Sequence, residues 1–446
     1  MKTSELKVWI IPIILTISLF SGLIKSISGI RYFPLIIDLV IFIYFTFWLV
    51  PQLIRHHLRF GLLDLLVFIF ITIAFIGIFN KNMPSIATGL EGFRKFAFML
   101  FGFYVGRYFL DVRTLKRIVI ILIVTSFFIS IYGIKQFLLP SALDYRLIEL
   151  STASPVTYMM GGHIRAFSTL SGPFHLGLFL TCIILLLTVL LQHKPENKII
   201  YLFLLIPLLV ALIMTVTKSN WLGLAIGIIF SIFLKSVKIL RFTFRILLLL
   251  LLLLGIVILL MNITTSIPVF QTINTGIQAL INPLEAPTML FRLNLWKDTI
   301  LPLISLSPWL GYGTGSAGEG LSNYFIDTRS IFVVAHNIFL KVQFELGLAG
   351  LIFFLLILAT TFFQILKIRK KLNDRFLLII CDWTLSFFVA IMVAGMVGSI
   401  LDAYPINLMF WILVGVSTVL KKLDNIDNSN ISSKSTQNYA LQEEGK

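Results

Sequence analysis

Residues 174–191 read FHLGLFLTCIILLLTVLL, a run with no charge and no polar stripe. An amphipathic surface helix shows a polar face every three to four residues, whereas a segment apolar on all sides belongs inside a bundle or a bilayer. About 20 such residues cross the hydrocarbon of a membrane. The same pattern recurs along the chain and predicts about twelve spans, at 8–24, 33–50, 61–79, 93–110, 117–138, 174–191, 199–214, 221–235, 245–262, 342–366, 377–398 and 405–420. The expected fold is all-α: a polytopic membrane protein, with residues 1–422 as one integral-membrane domain. Residues 423–446, polar and without periodicity, read as a disordered cytoplasmic tail.

Two long segments interrupt the short connectors, about 139–173 and 263–335, and long loops carry function more often than short ones. In the second, Met289, Leu290, Leu293, Trp296, Ile300 and Leu303 fall at helical spacing, which predicts an amphipathic helix on the membrane surface or on the bundle. The stretch GYGTGSAGEG, 311–320, follows it. It resembles a phosphate-cradling loop, but it lacks the strand before and the helix after that such a loop requires, so it reads as a flexible turn folding back over the bundle.

Composition agrees with a membrane protein: 58% of the 446 residues are hydrophobic and 13% charged. The net charge of +16 would fit nucleic acid only if the basic residues formed a patch. Instead, most of the 36 Lys and Arg concentrate in alternate, short connectors, as the positive-inside rule expects. That places both termini in the cytoplasm and both long loops outside, and it argues against a nucleic-acid partner. No small-residue cleavage site follows the first span, which is expected to remain. Cys182 and Cys381 both fall within spans, where they act as small apolar residues rather than as a disulfide or metal set.

Polar groups at membrane depth are costly and tend to face a cavity or a partner. On the outer face this singles out Arg165, Lys218, Arg292, Lys297, Arg329, His336 and Asn337, most of them cationic. Arg165 precedes the helix entry marked by Ser171, Gly172, Pro173 and His175. Lys218 occupies a connector too short to wander, and Arg292 lies four residues before Trp296 on the expected amphipathic helix. Each could be an interfacial anchor or a ligand for an anion, arginine being suited to two-point contact with phosphate. His336 is of a residue type that accepts a proton at neutral pH, and Asn337 could steer it or bind a sugar hydroxyl. The outer acids Glu285, Asp298, Glu319, Asp327 and Asp402 show no ligand spacing with the scattered histidines, so no metal and no cofactor are expected.

These residues resemble the O-antigen ligase and polymerase superfamily, membrane enzymes that handle polyprenyl-linked glycans. The ligase branch carries His, then Asn, Ser or Gln, nine residues, Gly, two residues, and Gly, Thr or Tyr. His336, Asn337, Gly347 and Gly350 satisfy every position. RAFSTLSGPFHLGLFL, TVTKSNWLG, FRLNLW and SPWLGYGTG are similar in order and character, so the resemblance runs from about 160 to 366. One departure is that members often carry Ser-Arg where this chain has Ser219 and Asn220, which leaves Lys218 as the conjectured source of that charge. The resemblance implies an inverting, metal-independent glycosyltransferase in the bacterial cytoplasmic membrane, serving lipopolysaccharide or exopolysaccharide synthesis. Arg165, Arg292 and Lys218 would bind the donor's pyrophosphate, His336 would act as base, and Asn337, Ser219, Asn220 and Trp296 would position substrate. Its partners would be a polyprenyl-pyrophosphate glycan donor, a glycan or lipid-linked acceptor, and membrane lipids.

A secondary transporter or flippase of lipid-linked glycans is the other class considered. Asp38 and Asp382, acids within expected spans, would then carry coupling protons, and they could equally be structural, paired to a neighbouring helix. The long outer loop and the lack of a matching pair of broken helices in the sequence speak against it.

Overall fold

A computed structural model of the chain describes residues 3–28, 39, 43, 61–83, 85–150, 155–160, 163–235, 276–279, 281–317, 334–398 and 400–426. The expected span at 245–262, that at 33–50 apart from residues 39 and 43, Asp38, Glu319, Asp327, Arg329 and tail residues 427–446 lie outside this set. Among the described residues the protein is helical apart from one two-residue antiparallel pair, β1 (Met159–Met160) with β2 (His163–Ile164).

The helices are α1 (Thr3–Leu19), α2 (Ser21–Ser28), α3 (Leu62–Gly77), α4 (Ile86–Phe96), α5 (Phe101–Phe109), α6 (Val112–Leu138), α7 (Ala142–Glu149), α8 (Pro173–His193), α9 (Lys198–Met214), α10 (Lys218–Phe233), α11 (Pro287–Leu295), α12 (Leu301–Leu306), α13 (Ile338–Arg369), α14 (Arg375–Gly395) and α15 (Ile406–Ser417). Four of them, α6, α8, α13 and α14, are long and apolar enough to cross a membrane, and a fifth span results if α15 is joined to Leu420–Ile426 across a 55° bend. That last helix takes in residues 423–426, which the sequence had assigned to the tail. Asp424 anchors them, accepting from the backbone amides of Asn373 and Asp374.

The run at 174–191 becomes α8, buried along nearly its whole length. It packs against α9, α10 and α14, which explains why it needs no polar face. Helices α10 and α14 meet most closely where Gly223 and Gly227 face Ala390 and Ser386, and a Cβ on Gly223 would lie 2.7 Å from the carbonyl oxygen of Ala390. Small residues at four-residue spacing let the two backbones approach.

Two expected spans are broken. Residues 93–110 divide into α4, a short 3-10 turn at Phe98–Leu100, and α5. Helix α13 breaks at Gly347, which has φ 66° and ψ −168°. The helices are therefore less regular than the hydropathy suggested. Asp382 takes the structural alternative: it pairs with His193 at 2.9 Å, Lys235 at 3.1 Å and Arg369 at 2.5 Å, joining the ends of α8, α10 and α13 to α14. Its charge is neutralised by a structural clamp.

Candidate functional site

At the end of the bundle away from Asp382, the N-termini of α8, α10 and α13 meet the C-termini of α6, α9 and α14. Phe174 touches Gly398, Asn220 donates to the carbonyl of Phe174, and Asn337 donates to that of Met396. The three N-termini bring partial positive charge and the three C-termini partial negative charge, so the side chains decide the sign of this end.

Arg165 sits in the segment between β2 and α8. Its backbone amide donates to Tyr158, and that of Ala166 donates to Met214 at the end of α9. Behind it, the Gln136 carbonyl oxygen accepts from the amides of Phe167 and Ser168 at 2.9 and 2.8 Å. Gln136 is in turn held by Asp144, which also takes Lys135 at 2.6 Å and Ser141 at 2.7 Å. The Arg165 guanidinium donates to three backbone carbonyls, those of Thr157, Thr215 and Val216. Burial lowers its pKa to about 10. No carboxylate pairs with it among the described residues.

Lys218 precedes the apolar part of α10 and donates to Thr288 Oγ1 at 3.3 Å, on the first turn of α11. Its pKa is lowered by burial first, and then by the positive charges of Arg292 and Arg165. Three cations from three separate parts of the sequence therefore share one electrostatic neighbourhood. The neighbouring Asn220 is turned away, fully buried, and donates to Phe174 and Thr217. Of that motif, Lys218 is the side chain on the cationic side. Ser219 is half-buried beside it.

The expected amphipathic helix is present, running from α11 through a π-helical turn at Trp296–Ile300 into α12. Ile300 and Ile304 are its buried face. They pack with Tyr312, Ala317, Ala335 and Phe344 in a small core separate from the main one. Lys297 and Asp298 are exposed on its other side. Trp296 donates its indole N–H to the carbonyl of Ala335 at 2.7 Å. That bond ties the helix of Arg292 to the residue before His336.

His336 is half-buried, with φ 48°. Asn337 is the N-cap of α13 and accepts from the amides of Phe339 and Leu340 at 2.9 and 3.1 Å. Both ends of its amide are thus engaged with the protein, and its observed work is to start the helix that carries the histidine.

The glycine-rich stretch was expected as a flexible turn folding back over the bundle, and its described part is packed within the bundle. Residues 311–317 are buried and thread between α3 and the break in α13. Tyr312 and Gly313 donate from their amides to the carbonyls of Phe344 and Glu345, and Thr314 donates to those of Gly77 and Ala74. Leu348 donates to Pro308 at 2.7 Å. A side chain on Gly347 would overlap the carbonyl of Trp309. The glycine of the His-Asn motif is therefore the point where α13 opens to admit this segment.

Several contributors were invisible as motifs. The carbonyls of Thr215 and Val216 hold Arg165, and Gln136 with Asp144 brace its loop. Ser168, Val216 and His336 are the non-glycine residues with left-handed φ among the described residues, at 53°, 50° and 48°. All three lie at this end. Such conformations cost energy and concentrate at functional sites, yet only three-dimensional coordinates reveal them.

Residues 200–355 match the family model described as O-antigen ligase. Over that stretch the chain is similar to the O-antigen ligase family. The match lies within the stretch 160–366 and includes Lys218, Arg292, Trp296, His336, Asn337, Gly347 and Gly350. Arg165 precedes the matched residues and reaches them through Thr215 and Val216. A search of curated proteins found no match.

Proposed function

We propose that this protein is a glycosyltransferase that moves a glycan from polyprenyl pyrophosphate to an acceptor hydroxyl at the outer face of the cytoplasmic membrane, in surface polysaccharide synthesis. The similarity of residues 200–355 to the O-antigen ligase family supports a role in glycan assembly at a membrane. The observation that carries the reading is the convergence of three cationic segments: Lys218 reaches Thr288 on the helix of Arg292 at 3.3 Å, and Arg165 is held by the carbonyls of Thr215 and Val216, just before Lys218. Arginine and lysine side chains gathered in one partly buried place suit the oxygens of a phosphate, and a pyrophosphate supplies them.

In this reading the acceptor oxygen attacks the anomeric carbon while the bond from that carbon to the pyrophosphate oxygen breaks. The bonding pair leaves with the pyrophosphate. Arg165, Lys218 and Arg292 stabilise negative charge that grows as the bond lengthens, which favours the transition state over the bound donor. His336 takes the acceptor's proton. Direct attack inverts the anomeric centre and draws on no nucleotide or metal. The basic connectors support the outer face, since the positive-inside rule favours a cytoplasmic position for the opposite end of the bundle and for both termini.

The test is a transfer assay with purified protein in detergent, labelled polyprenyl-pyrophosphate glycan, candidate acceptors, and neither nucleotide nor added metal. Label should move to the acceptor or lengthen on its own lipid, product size telling ligase from polymerase. His336→Ala should abolish transfer while eluting as a monodisperse species. Full activity in that variant would remove His336 as the base.

A further inference from the structure

Asn337, Lys341 and Glu345 recur every four residues, so they share one face of the half-helix that precedes Gly347. That face is turned inward: Lys341 is 1% exposed and Glu345 0%. The Lys341 ammonium lies 3.1 Å from Glu345 Oε1 and 3.1 Å from Asp402 Oδ1, with the ring of Phe96 4.9 Å away. Asp402 sits in the connection between α14 and α15, and Met396, whose carbonyl takes the Asn337 amide at 2.9 Å, lies near the start of that connection. The polar face is therefore docked at two points on one short segment. Glu345 adds a third tie by accepting from the amide of Ala317 at the end of the buried glycine stretch.

This arrangement is expensive for stability alone. A buried ion pair recovers about what its desolvation costs, and an apolar replacement often holds a fold as well. What a bridged ammonium supplies is a fixed register, because sliding or rotation of the half-helix would separate it from both carboxylates. Apolar packing does not impose that restriction. The half-helix is short, broken from the rest of α13 at Gly347, and headed by His336 and Asn337. Its register sets where the imidazole sits.

We propose that Lys341 is a positioning residue for glycan transfer, locking the half-helix headed by His336 onto the α14–α15 connection through Asp402. The proposal rests on the reading of His336 as base. The groups facing Asp402 are Lys341, Glu345 and, further off, Lys95. Burial pushes the Asp402 carboxyl up to about 6 against the pull of Lys341, with Glu345 reinforcing burial and Lys95 opposing it. The bridge is accordingly strongest above that pH.

The experiment compares full-length wild type, Lys341→Met, Asp402→Asn and His336→Ala, with turnover and binding of labelled donor measured separately. Asp402→Asn keeps the shape of the side chain and leaves Lys341 its Glu345 partner, so it carries the test if Lys341→Met fails to fold. Both variants should lose about tenfold or more in kcat, since small misplacements of a reacting group are costly, with donor affinity within about twofold of wild type. The ratio of wild-type to Asp402→Asn turnover should rise as pH increases through about 6. Wild-type turnover by Asp402→Asn across that range, with His336→Ala inactive, overturns the tether and leaves the base. Equal loss of donor binding and turnover overturns it too. An active His336→Ala overturns the base reading, and the tether with it.

Discussion

Trp296 and Ala335 are 39 positions apart in sequence, yet the indole N–H of one meets the carbonyl of the other at 2.7 Å. That contact fastens the helix bearing Arg292 to the segment that ends in His336. Trp296→Phe keeps a ring in the small core and removes the donor. A neutral hydrogen bond is worth about 1 kcal/mol, and turnover is expected to fall about fivefold or more, with the variant still eluting as wild type. Unchanged turnover would show that the bond does not align the two groups.

Lys218 is expected to separate stability from function. Lys218→Met removes a charge that Arg292 and Arg165 repel, so the ligand-free protein should melt at the same temperature or slightly higher. Donor affinity should fall about tenfold, the loss of one charged contact to phosphate. A lower melting temperature with undiminished binding would mean that Lys218 is structural.

Gly347 adopts a φ of 66° at the opening in α13 and touches the Trp309 backbone. Gly347→Ala places a Cβ in a conformation that disfavours it and into an occupied position. The expected cost is about 2 kcal/mol or more, seen as a lower thermal midpoint in detergent and as loss of transfer. Gly133→Ala, where a Cβ meets neighbours no closer than 3.4 Å, serves as the comparison.

Asp144 braces the Arg165 loop through Gln136. Burial raises its pKa, but hydrogen bonds from Lys135, Ser141 and Tyr132 overcome that and hold it at about 2. A carboxyl held below its ordinary value binds fewer protons folded than unfolded, so its stabilisation is complete above the ordinary value near 4 and is lost as pH falls through about 2. Asp144→Asn should cost about 2 kcal/mol at pH 7. The gap between variant and wild type should stay constant down to about pH 4 and close below it. A gap unchanged at pH 2 would place the effect outside this ionisation.

The apolar runs at 117–138, 174–191, 342–366 and 377–398 were enough to locate α6, α8, α13 and α14, because the cost of exposing backbone in hydrocarbon makes a long apolar run helical whatever surrounds it. Likewise, His336, Asn337, Gly347 and Gly350 could be read as a set from their spacing, and the amphipathic helix from its periodicity. Local chemistry and periodicity are properties of the chain itself.

The sequence did not determine which of its cations meet. Arg165, Lys218 and Arg292 stand far apart along the chain, and their common field arises only when α9, α10 and α11 converge. Nor could it show that Asn337 and Asn220 spend their amides on the protein, or that the glycine-rich stretch is buried. Each depends on backbone carbonyls such as those of Thr215, Phe174 and Glu345, which every residue carries and no residue type advertises. The same holds for the paired state of Asp382 and for the Lys341–Asp402 bridge. A charge within an apolar run shows that a partner is needed, and only packing decides which partner it finds.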